Sequence, residues 1–229
     1  MPLTTVLLDA GGVIIDETEY EKIHARILVD LLAESGLKYS VHLYNKDVDE
    51  AVKSFCPNVY QFIIWKNCGE ESSLYCKIHN EYQARWVIER TPYKLMDGIA
   101  REIKILCSKF QILLAGQYGN DILELLKKCD IGKYFANNLT QDDYDITKPD
   151  PRFLERITAS AGSTPECCVM VGDRIDKDII PAKMLGMKTI LIRGGLHRNQ
   201  APRIPSEFPD IELESIVGLS GAIEKLAME

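Results

Sequence analysis

A doubly wound parallel α/β sheet with a helical insertion is the fold class this sequence predicts. Three observations carry that expectation. Short apolar runs at residues 5–8, 111–114, 168–171 and 189–192 read as buried strands. Helical patterns with one apolar face lie between the later runs, and alternation of this kind builds parallel sheets through right-handed crossovers. Two of the runs end in aspartate, Asp9 and Asp173, at the carboxyl edge where open α/β sheets bind their ligands.

In chain order, the run 5–8 passes into Asp9-Ala10-Gly11-Gly12, where the two glycines let the backbone turn tightly out of the strand. Residues 16–95 then break the alternation, with no clear buried strand. Residues 17–35 read as a long helix, with Ile23, Ile27, Leu28, Leu31 and Leu32 at helical spacing and Gly36 as its stop. Residues 48–55 and 74–87 read as further helices, punctuated by Pro57 and Gly69. The expected division is an α/β core of residues 1–15 and 96–229 and a helical insertion of residues 16–95.

The core pattern resumes with a helix over 98–108 that aligns Ile99, Ile103 and Leu106. After the strand 111–114 come helices over 121–128 and 151–161, the first presenting Ile122, Leu125 and Leu126, the second Phe153, Leu154 and Ile157. Residues 194–209, with Pro202, Pro205 and Pro209, read as loop. Residues 211–213 read as a last edge strand and 219–228 as a closing helix.

A length of 229 residues and 46% hydrophobic content fit one large domain or a domain plus an insertion. The net charge of −7 argues against nucleic acid or an anionic membrane as partner. It does not exclude a phosphorylated substrate, because local cations set the field in a cleft. No apolar run approaches the roughly 20 residues that span a bilayer. The apolar start is interrupted by Asp9 and lacks a basic leader, so it does not read as a signal peptide. Seven scattered cysteines, an odd number, argue against a disulfide framework and for a reducing cytoplasm. Cys68, Cys76 and His79 fit no standard zinc-ligand spacing.

The chemistry concentrates in three places. Asp9 ends the first strand, Lys148 stands in Thr147-Lys148-Pro149-Asp150-Pro151, and Gly172-Asp173 is followed at the fifth position by Asp178. Carboxylates at rigid strand ends suit a hard cation such as Mg²⁺, and a lysine ammonium supplies a point charge for phosphate oxygens.

These segments, in this order, resemble the haloacid dehalogenase superfamily. So does the later pattern of Pro181-Ala182, Leu185-Gly186-Met187 and the strand at 189–192. The resemblance implies a Rossmann-like core of the haloacid dehalogenase type with a helical cap, and a Mg²⁺-dependent phosphatase. It implies Asp9 as nucleophile, forming an aspartyl-phosphate, with Lys148 neutralising the charge. Asp9, the backbone carbonyl of Gly11 and Asp173 would hold the metal. Asp178 would hold its water shell or orient Lys148. Asp16 falls where many members carry an aspartate at the cap hinge, near the substrate. The second motif falls on Ala115, Gly116 and Gln117. A small phosphorylated metabolite is the implied substrate, for a cytoplasmic monomer or homodimer.

Two departures qualify that expectation. Phosphatases of the family place an aspartate, the general acid and base, where this chain has Gly11. Their second motif carries Ser or Thr where this chain has Ala115 or Gly116. The expected enzyme is therefore slow, or restricted to leaving groups that need no proton. The alternatives are a non-catalytic phosphate or metabolite binder, and a dehalogenase-like or phosphonatase-like hydrolase.

Overall fold

The computed structural model describes residues 2–116, 118–137 and 145–228. Two compact units emerge, one of Met1–Asp16 with Tyr93–Glu229, the other of Glu17–Pro92.

The first unit is built on five parallel strands: β1 (Thr5–Leu8), β2 (Gln111–Leu114), β3 (Cys168–Gly172), β4 (Lys188–Ile192) and β5 (Ile211–Leu213), in the order β2-β1-β3-β4-β5. Side chains alternate across a strand, so each strand feeds two cores. Val6, Leu8, Ile112, Leu114, Val169, Val171, Ile190 and Ile192 face one side. There they meet the apolar stripes of α5 (Ile99–Leu106), α6 (Asp121–Lys128) and α9 (Leu219–Ala227). Leu7, Leu113, Cys168 and Met170 face the other, against α7 (Pro151–Ser160) and α8 (Ile180–Met184). The fold is thus the parallel, doubly wound α/β type.

The chain leaves β1 to form β2 on one side and later returns to form β3 on the other. The strand order reverses at β1, which puts the switch point of the sheet at the carboxyl ends of β1 and β3. The registers align those ends, with Leu8 beside Leu114 and Val171. One residue on, the Asp9 N–H donates to Val171 O at 2.9 Å, and the Ala115 N–H donates to Leu8 O at 2.8 Å.

The second unit contains four helices: α1 (Thr18–Glu34), α2 (Val41–Lys53), α3 (Val59–Cys68) and α4 (Ser72–Glu89). The sequence pattern missed α3 and began α2 seven residues late. The segment Tyr60 to Trp65 is apolar almost without interruption, so no helical period stands out, yet only one side of α3 is buried, through Val59, Ile63, Ile64 and Cys68. Local capping marks both helices. The Ser40 hydroxyl accepts from the Leu43 N–H, and Asn58 Oδ1 accepts from the Gln61 N–H. Buried Asp47 then ties α2 to α3, accepting from Lys66 Nζ at 2.7 Å and Asn67 Nδ2 at 2.9 Å.

Among the described residues, no helix is long and apolar enough to cross a membrane. All seven cysteines are free thiols.

Candidate active site

Asp9 is delivered to the sheet edge by β1, whose four residues are all buried. The turn that follows folds back on itself, as the N–H groups of Ile14 and Ile15 both donate to Ala10 O and Gly11 pairs with Ile15. The left-handed residue of the turn is Gly12, with φ +66°, and a Cβ there would lie 2.8 Å from Asp173 Oδ2. Only glycine satisfies both demands, because other residues are strained at positive φ.

β3 delivers Asp173. It then opens into a single π-helical turn, Ile175–Ile179, that runs directly into α8. Such turns are rare and frequent at functional sites. Here the wide turn swings Asp178 back over the strand end. Its Oδ2 accepts from the Arg174 N–H at 3.0 Å, and the side chain lies so close to Gly172 that a Cβ there would be 2.3 Å away.

Lys148 joins the two strand ends. Its ammonium donates to Asp9 Oδ1 and to Asp178 Oδ1, both at 2.6 Å. Lys148 is 5% exposed and Asp178 fully buried. Burial works against the Lys148 ammonium, but the carboxylates of Asp178 and Asp9 outweigh it and hold its pKa above the ordinary lysine value. Burial also holds the Asp178 carboxyl above the usual aspartate range, with Lys148 opposing the rise and Asp9 adding to it.

Asp9, Asp173 and Asp178 place carboxylate oxygens within 4.8 Å of one another. Three carboxylates against one ammonium leave the cluster anionic. Oxygen donors of that charge fit a hard divalent cation, Mg²⁺ before a softer metal. Cys68, Cys76 and His79 form no such group among the described residues.

The other expected positions fall as follows. Ala115 continues β2 beside β1. Gly116 presses on the residue after Asp9, since a Cβ on it would lie 2.3 Å from Ala10 Cβ and 2.8 Å from Ala10 N. Asp16 lies on the strand side of the insertion, its N–H donating to Lys94 O. Gln117 lies outside the described residues.

Sequence reading missed two supports of this edge. Asn137 Oδ1 accepts from the Leu114 N–H at 2.8 Å, and its Nδ2 donates to Leu114 O at 3.0 Å, closing the outer edge of β2 as a backbone partner would. Gln200, in the proline-rich stretch read as plain loop, reaches the π-turn through both ends of its amide. Neither residue stands in a motif, and a lone amide in a loop carries no sequence signal.

Comparison with known proteins places the chain in a family. A family model for haloacid dehalogenase-like hydrolases matches residues 3–186. A glyceraldehyde 3-phosphate phosphatase from Methanopyrus kandleri is 32% identical over 106 residues, 46% of each chain, so this chain spans under half of that relative. The pyrophosphatase PpaX of Bacillus velezensis is 25% identical over 219 residues, covering 95% of this chain and 94% of PpaX. The YfnB protein of Bacillus subtilis, solved bound to magnesium, shares the fold with a TM-score of 0.66 at 16% identity, over 97% of this chain and 99% of that one. A match over residues 3–186 takes in both strand-end aspartates, the lysine and the π-turn, and this chain belongs to the haloacid dehalogenase-like hydrolases.

Proposed function

We propose that this protein is a divalent-metal-dependent phosphatase that hydrolyses a small phosphorylated metabolite through a covalent intermediate on Asp9. The observation that carries the reading is the buried Asp9–Lys148–Asp178 chain beside Asp173 at the switch point of the sheet. The phosphatase names of the two relatives above support the same reaction class.

In this reading Asp9 and Asp173, with the Gly11 carbonyl, would hold Mg²⁺. The metal, when bound, offsets charge on the transferring phosphoryl group. Asp9 attacks phosphorus with one carboxylate oxygen, and the P–O bond to the leaving group breaks. Water then cleaves the acyl phosphate, releasing phosphate and regenerating Asp9. Lys148 donates to Asp9 and offsets charge as a second negative group arrives. Asp178 orients Lys148 through one oxygen and ties down the π-turn through the other. Gly11 supplies no side chain for protonating the leaving group, a loss of about 10²–10⁴ in rate where protonation matters. Aryl and acyl phosphates should therefore react far faster than alkyl phosphates. The helical unit is assigned the role of the family's cap, with Asp16 at its hinge, and the cytoplasm is the proposed compartment.

A second reading, a binder without turnover, draws on two observations. Gly11 stands in the acid position, and Ala115 or Gly116, the latter packed against Ala10, stands where the family has a hydroxyl. A panel of phosphate esters assayed with and without Mg²⁺ separates the two. Mg²⁺-dependent phosphate release that is lost in Asp9→Asn supports the phosphatase. Binding of Mg²⁺ and phosphate esters with no release, on aryl phosphates as well, overturns it in favour of the binder.

A further inference from the structure

The acidic turn between Asp173 and Asp178 is braced from outside by one residue with no role in the chemistry above. Gln200 is 1% exposed, and every polar group on it is engaged. Its Oε1 accepts from the Ile175 N–H at 2.5 Å, and its Nε2 donates to Asp176 Oδ1 at 2.7 Å. Asp176 is held on its other side by Arg174, whose Nε and Nη2 donate to it at 3.1 and 2.6 Å. The Gln200 N–H donates to His197 O, and its carbonyl accepts from Arg193 Nη1. Arg193 in turn grips Glu212 of β5 with two bonds of 3.0 and 2.9 Å. A continuous strut thus runs from the edge strand, through Arg193 and the backbone of Gln200, to the amide that fixes the π-turn.

We propose that Gln200 is a positioning residue that sets the place of Asp173 beside Asp9 for cation binding. The inference rests on the metal-site reading above. Within the turn, the Asp178 and Ile179 N–H groups both donate to Arg174 O, at 2.9 and 3.2 Å, and neither bond engages the Ile175 N–H. The Ile175 N–H, inside that turn, finds its partner on Gln200. Without the amide this buried donor is unpaired and Asp176 loses a donor, so the turn has reason to relax. Asp173 stands two residues from Ile175, and relaxation of the turn moves it away from Asp9, with which it must converge on one ion. Partners that orient ligating groups typically change metal affinity 10- to 100-fold when removed.

The test is calorimetry of Mg²⁺ alone binding to the full-length protein, below the melting range of every variant. Gln200→Met keeps the length and removes both bonds. Gln200→Glu keeps the acceptor for Ile175 but sets a carboxylate against Asp176. Both should bind Mg²⁺ about 10- to 100-fold more weakly than wild type. Asp176→Asn combined with Gln200→Glu reverses the polarity of the pair and should recover part of that loss, judged against Asp176→Asn alone. A residue with only a structural role would lower the melting temperature and leave Mg²⁺ affinity of the folded protein unchanged. Variants that fold and bind Mg²⁺ within about 2-fold of wild type overturn the proposal. A wild type that binds no Mg²⁺ overturns instead the metal-site reading beneath it. Wild-type protein gives a readout free of folding effects. The side-chain amide signals of Gln200 should shift along the Mg²⁺ binding isotherm, and unmoved signals at saturation overturn the proposal.

Discussion

Replacing Lys148 by Met leaves the carboxylates of Asp9 and Asp178 without the ammonium that sits 2.6 Å from each. Removing one partner of a buried ion pair typically costs about 3–5 kcal/mol, because the remaining charge stays buried and uncompensated. Urea unfolding at neutral pH should show a loss of that order. Added Mg²⁺ should recover part of it, as a ligand bound by the folded state alone stabilises that state. Gly116 makes a second residue-scale test. A Cβ there would lie 2.3 Å from that of Ala10, so Gly116→Ser should destabilise by about 1–3 kcal/mol or more through overpacking. Ala10→Gly opens the space, and the double change should melt closer to wild type than Gly116→Ser. A hydroxyl at position 116 therefore cannot be introduced by one substitution without overpacking, because that position is packed against the residue after Asp9.

At the scale of elements, β2 would present an open edge at Leu114 but for Asn137. Asn137→Ala leaves the buried Leu114 N–H and C=O without their side-chain partner. Leaving buried groups unpaired costs about 1–3 kcal/mol. The amide of Leu114 should then exchange with deuterium well before those of the central strands β1 and β3. Equal protection in wild type and variant would mean that Asn137 does not hold this edge. The π-turn teaches a related lesson about legibility. Gly172-Asp173 and Asp178 can be read as strand end and ligand spacing, but the sequence gives no sign that the intervening turn is wide. Its width follows from Asp178 folding back on the Arg174 N–H and from Gln200 taking the Ile175 N–H.

At the scale of the molecule, the helical unit carries its own pH dependence. Glu21 accepts from the Tyr60 hydroxyl at 2.5 Å, while its other oxygen is buried with no hydrogen-bond partner among the described residues. Burial raises its pKa to about 7, against the pull of Tyr60. The folded state then holds a proton that the unfolded chain releases from about 4.5 upward, so this contribution is full below 4.5 and is lost as pH rises to 7. His24 acts in the opposite sense. It stacks between Tyr60 and Trp86 at 4.0 and 3.8 Å, and burial lowers its pKa to about 3. The unfolded chain takes up a proton below 6.5 that the folded state refuses, so this contribution is lost as pH falls from 6.5 to 3. The two terms oppose each other between 4.5 and 6.5, and stability should fall on either side. Glu21→Gln should flatten the alkaline side and stabilise the protein at pH 8 by on the order of 1–3 kcal/mol. Melting curves from pH 4 to 8 check this, and an unchanged slope above pH 6 in Glu21→Gln would count against it.

The sequence by itself determined the sheet, because strands buried on both faces must be apolar throughout, and runs such as 5–8 and 168–171 have few other uses. It also picked out the candidate residues of the sheet edge, since aspartates at strand ends and a Gly-Asp pair can be recognised without coordinates. Only the tertiary structure decided how they meet. Asp9 and Lys148 are separated by 139 positions and Lys148 and Asp178 by 30, yet one ammonium touches both carboxylates. The same holds for the supports. Gly12 against Asp173, Gly116 against Ala10, and Gln200 on the π-turn are contacts between segments far apart in the chain. Periodicity reports only neighbours along one element. Contacts of this kind depend on strand order and register, which arise once the whole sheet has formed.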